Sequence, residues 1–206
     1  MRTTDTTTTA TTAPTMNGTA TGTANATTTG TTSDTTFVRY SHEIAAAVTL
    51  PSGARALVAP GPLTAAAGIA LTTACAALST RLALLAFLAD PQADEPIGIT
   101  GHDPFTEPTP PALVGSGPEP DRERVRRAGD RCVDAWRLWT QDRGSGQSVV
   151  GVAGALGLGA WCAWAVHAEA RAATRARYAL DLRSQDPLAR LVLRSCTLGV
   201  RAAWRG

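Results

Sequence analysis

Residues 148–167 read SVVGVAGALGLGAWCAWAVH, and the fold turns on what that stretch is. It carries no formal charge before His167, and Glu169 and a string of arginines close it. A membrane-spanning helix needs roughly 20 mostly apolar residues at about 1.5 Å rise each. Residues 149–166 come close to that length, with mean hydropathy near the usual threshold for a span. Gly151, Ala155 and Gly159 recur at every fourth position, a helix-packing spacing that lets a second helix approach closely in lipid. Trp161 and Trp164 sit toward one end, where indole rings favour the membrane interface. The competing reading is a glycine-rich helix buried inside a bundle, which has to overcome the poor helix propensity of glycine in water.

A second apolar run, LTAAAGIALTTACAALSTRLALLAFLA at residues 63–89, follows Pro62 and stops at Asp90-Pro91. Proline at one end and Asp-Pro at the other predict one long helix. Its single charge, Arg81, is costly in lipid unless it snorkels to the nearby end or meets a partner. Upstream, Pro51-Ser52-Gly53 is a turn signal between two short apolar segments, which predicts a hairpin or a helix start within residues 37–62. Residues 1–36 are threonine at about half their positions and lack any periodic apolar face, so a disordered tail is expected there. That tail has no charged segment followed by an apolar one, so no cleavable signal peptide is expected.

Residues 91–120 are rich in proline, glycine and acids and read as a linker, with His102-Asp103 as loop decoration. Residues 121–143 form an amphipathic helix: Val125, Ala128, Cys132, Ala135, Trp136 and Trp139 follow three-four spacing. An Arg-rich helix with two tryptophans beside an apolar run suits a membrane surface, which makes Trp136 and Trp139 interface candidates. The bland alternative packs both rings against a neighbouring helix. Past His167, Arg171 and Arg175 lie one turn apart, and Asp186-Pro187 reads as an N-cap with proline at the first helical position. A last helix is expected to run to about Trp204, with Arg190, Arg194, Arg201 and Arg205 on one face. Residues 169–206 hold eight arginines against three acids, and such a stripe is a candidate anion-binding surface for lipid headgroups or nucleic-acid phosphate.

Catalytic and metal motifs are missing from this sequence. Cys75, Cys132, Cys162 and Cys196 form no C-x-x-C pair, which fits neither a zinc site nor a disulfide framework. His42, His102 and His167 are scattered, and neither G-x-S-x-G nor H-E-x-x-H occurs. All nineteen basic residues are arginine, so no P-loop lysine exists, and the Arg/Ala bias is that of a high-GC, actinobacterial type of genome. The expectation is a non-enzymatic, cofactor-free, all-α protein of the cell membrane with one or two spans and both termini in the cytoplasm. It would self-associate through its small-residue face and dock DNA or anionic lipid with its arginines. That layout is similar in outline to membrane proteins that assist plasmid transfer in high-GC bacteria. The alternative is a cytoplasmic all-α interaction domain over residues 37–206 that binds a protein or nucleic-acid partner.

Overall fold

A computed structural model describes residues 30–103, 105–142 and 147–205, with side chains from residue 41 onward. Of the expected disordered tail, residues 1–29 lie outside the described residues, and residues 30–36 are helical as the start of α1. Within them the chain is all-helical: α1 (Gly30–Val58), α2 (Ala65–Ala74), α3 (Leu78–Ala89), α4 (Arg122–Gln141), α5 (Val149–Ala165), α6 (Glu169–Leu182) and α7 (Pro187–Thr197), with a 3-10 turn at Pro111–Val114.

The stretch quoted above becomes α5, at the centre. It is capped by Ser148, whose hydroxyl accepts from the Val150 N–H. Helices α2, α3, α4, α6 and α7 all pack on it, and every residue from Gly151 to Ala165 is buried. Such a helix has no outward side, and its glycines give way to a different neighbour at each turn. A Cβ at Gly151 would land on the Thr72 carbonyl of α2, and one at Gly154 on the Cys75 carbonyl just beyond it. A Cβ at Gly159 would sit 2.9 Å from the Cys132 Cβ of α4. The Gly151, Ala155, Gly159 spacing therefore serves close packing against helices of the same chain. Helix α5 has 17 residues, and among the described residues no single helix is long and apolar enough to cross a membrane.

The expected single helix over 63–89 is broken. Helices α2 and α3 meet at 112° across residues 75–77, and Thr80 and Arg81 follow in the first turn of α3. The Thr80 hydroxyl donates to the carbonyls of Ala74 and Ala77, at 2.5 and 3.0 Å. Arg81 does not snorkel: it is 1% exposed and its Nη1 lies 2.6 Å from the Asp186 carboxylate, itself 0% exposed. The break orients Arg81 toward a partner 105 residues away in sequence, which no local pattern announces.

Two further boundaries differ from expectation. The Pro51-Ser52-Gly53 turn signal lies inside α1, where Gly53 lets α1 rest on α2: a Cβ there would come within 2.6 Å of the Ala74 Cβ. Helix α7 stops at Thr197 instead of near Trp204. Gly199 adopts φ +66°, the Val200 N–H donates to the Ser195 carbonyl and the Gly199 N–H to that of Cys196, which is a Schellman ending. The tail then runs alongside residues 115–119, with the Ala203 N–H donating to the Gly115 carbonyl at 2.7 Å and the Arg205 N–H to that of Gly117 at 2.8 Å.

The buried thiols are apolar filler in this core. Burial pushes Cys75 and Cys162 up to about 12, far from the thiolate that reactivity requires.

Two stability outcomes are expected. By helix propensity, Gly154→Ala should stabilise by roughly 1 kcal/mol; by close packing, it should instead destabilise by about 1–3 kcal/mol or more. Denaturant unfolding reads the sign, and a gain would mean that α2 stands clear of α5. Arg81→Met should cost about 3–5 kcal/mol, because it strands a buried carboxylate. Adding Asp186→Asn should recover part of that loss, since asparagine keeps the cap and removes the charge. Strict additivity in the double-mutant cycle would show that the two charges do not support each other.

Candidate functional site

The site begins with α4. Asp121 caps it by accepting from the N–H groups of Glu123 and Arg124. Val125, Ala128, Cys132 and Ala135 bury one face, at the spacing that makes the helix amphipathic. Its outward arginines pair along the helix: Arg122 with Glu119, Arg126 with Glu123 and Arg137 with Asp134, at 2.7 to 2.9 Å. Two others turn inward. Arg131 donates to the carbonyls of Ala56, Ala59 and Gly61 at the end of α1, and Arg124 to those of Phe87 and Asp90 at the end of α3. Cations there meet the negative end of each helix dipole and satisfy its last carbonyls.

Helix α6 lies beside α4 over α5. Ala172, Arg175, Ala176 and Ala179 face inward, and Arg175 reaches between the two glycines where α4 and α5 touch. Its Nη1 donates to the Gly159 carbonyl at 3.1 Å and its Nη2 to the Asp130 carboxylate at 2.5 Å. Gly129 makes the room: a Cβ there would sit 2.6 Å from Arg175 Nη1.

Outside this buried contact a groove of about 550 Å3 opens between α4 and α6. That is within the roughly 300–1,000 Å3 common for ligand sites. Leu156 of α5 and Val133 of α4 form its apolar base, Trp136 and Tyr178 contribute rings, and Arg137, Arg171 and Arg175 the charge. The two rings lie 5.4 Å apart, tilted by 37°, within the range of favourable aromatic pairs. Tyr178 is 49% exposed. Arg175 is tied to Asp130 and Arg137 to Asp134, whereas Arg171 has no acidic partner among the described residues.

Three of the sequence-derived residues (Trp136, Arg171 and Arg175) therefore meet in one groove, and the others do not. Trp139 is half-buried on the last turn of α4. Trp161 and Trp164 are core residues, their indole N–H groups donating to the carbonyls of Ala112 and Val200. Arg190 is exposed and bonds Gln185 at 2.8 Å, Arg194 is exposed on α7, and Arg201 pairs with Glu169 at 3.0 Å. Arg201 and Arg205 lie in the non-helical tail, so the expected four-arginine helical face does not form. Tyr178 completes the groove and Asp130 holds Arg175 at its edge, neither marked by any motif; a glycine in mid-α4 beside an aspartate was the available hint. Among the described residues, no group of three or more His, Cys, Asp and Glu is placed to hold a metal ion. No protein-family model, no curated protein and no solved structure matches the chain.

Proposed function

We propose that this chain is a helical docking module that binds an acidic, apolar segment of a partner protein in the α4–α6 groove. The observation that carries the reading is the meeting of Trp136, Tyr178 and an acid-free Arg171 over an apolar base. Aromatic and arginine side chains are the usual anchors of protein interfaces, and a carboxylate entering beside Arg171 would make a charge-assisted, bidentate contact. An extended polynucleotide fits less well, because the outward arginines of α4 are already answered by Glu119, Glu123 and Asp134. A phosphate backbone calls for a continuous basic track.

The test is fluorescence anisotropy of a labelled peptide alternating Asp/Glu with Leu/Phe, beside a labelled dT oligonucleotide of similar length. The peptide should bind the full chain, and Arg171→Ala and Trp136→Ala should each weaken it by about tenfold, or ~1.4 kcal/mol. Equal peptide affinity in both variants, or stronger binding of the oligonucleotide, removes the reading.

Membrane association is the second reading, and one observation favours it: α2 and α3 together are long and apolar enough to span, bent at 112°. Under the docking reading, a carbonate wash should release the expressed protein from a membrane fraction. Retention until detergent is added would favour the bent pair as an anchor.

A further inference from the structure

The chain that carries the α4–α6 groove also carries a segment of the chemistry the groove suits. The loop after α3 is held to the bundle at several points. Arg124 of α4 donates to the Asp90 carbonyl at 3.1 Å, Pro96 and His102 are buried, and the His102 N–H donates to the Ser79 carbonyl at 3.1 Å. Two large apolar side chains nevertheless point outward, Ile97 at 84% exposed and Phe105 at 96%. The backbone at Phe105 is set by its neighbour: the Asp103 carboxylate accepts from the Phe105 N–H at 2.9 Å and from the Thr106 hydroxyl at 2.8 Å. A ring presented on a fixed turn loses less freedom when it is covered, and aromatic rings carry much of the energy of protein contacts.

The charge around that ring is mostly negative. Arg124 faces Asp90 and Asp94, Arg55 lines the surface beside Glu95, and Glu107 pairs with His102 at 2.8 Å. Glu95 and Asp103 keep no ion pair among the described residues. The bonds to Asp103, the Phe105 N–H first, hold its carboxyl below its usual range. We infer that the segment docked in the α4–α6 groove is this loop of a second copy of the chain. Phe105 lies against Trp136 and Tyr178, and Asp103, two residues before it, meets Arg171, since each of its oxygens keeps a lone pair for that contact. The inference rests on the groove reading above and supplies its partner. The loop lines no part of the groove in its own chain, so the contact runs from a patch on one copy to a different patch on the next.

Sedimentation equilibrium of the full chain, of Arg171→Glu, of Phe105→Ser and of the two variants mixed tests this. The unaltered chain should associate as its concentration rises. Each variant alone should need at least tenfold more protein to do so. The equimolar mixture should recover association as a dimer, because the first variant keeps its loop and the second keeps its groove. A chain that stays monomeric up to about 1 mM overturns the inference. So does association that neither substitution weakens, or a mixture that associates no better than its components. The acidic peptide separates this outcome from the groove reading. Peptide binding by a chain that stays monomeric removes the second copy and leaves the groove, whereas a monomeric chain that also ignores the peptide removes both.

Discussion

The ion pair between Arg81 and Asp186 is the contact on which the other packing relations depend. Both groups are removed from water, a cost of several kcal/mol per ion that only good geometry and further hydrogen bonds offset. The geometry here has three supports. Asp186 Oδ1 accepts from the Ala189 N–H and so caps α7, Arg81 Nε donates to the Ala77 carbonyl at the α2–α3 break, and the two charges meet at 2.6 Å. They meet across α5 because two glycines leave the space: a Cβ at Gly154 would sit 3.2 Å from Arg81 Cδ, and one at Gly157 2.9 Å from Asp186 Oδ1. The bend between α2 and α3, the position of α7 and the glycines of α5 are three views of one constraint.

The use of arginine follows the same logic elsewhere. A helix that ends inside a bundle leaves carbonyls without partners, and a guanidinium, with five donors in a planar fork, can answer several at once. Arg131 does so for α1 and Arg124 for α3, the latter also lying 4.3 Å from the centre of the Phe87 ring. Arg175 bonds the Gly159 carbonyl in the middle of the α4–α5 contact. These residues contribute to the basic composition without presenting charge to a partner. A count of arginines along a helix therefore overstates the surface they offer, and it is Arg171, outside every such bond, that gives the groove its free charge.

Where local chemistry sets the structure, the sequence was readable. Asp121 and Asp186 start α4 and α7 as their side chains require, and the three-four spacing of Val125, Ala128, Cys132 and Ala135 marks the buried side of α4. Long-range contacts set the rest, and there it was opaque. Hydropathy cannot tell a helix surrounded by its own chain from one surrounded by lipid, since both environments select Val, Ala, Leu and Gly. The indoles of Trp161 and Trp164 look like interface anchors until Ala112 and Val200 supply acceptors for their N–H groups. Arg81 looks like a defect in an apolar helix until Asp186 is beside it.

The distribution of charge makes the same point. A net charge of +2 conceals a segregation along the chain: residues 90–120 hold six acids and no arginine, and residues 169–206 hold eight arginines and three acids. The fold brings the two segments together at one place, where the tail at Ala203 and Arg205 runs along residues 115–119, while α6 lies beside α4. What folding sets beside a charge matters as much as the charge: the Trp136–Tyr178 pair lies in the groove that Arg171 lines. The two rings come from different helices, 42 residues apart in sequence, and only the crossing of those helices brings them together.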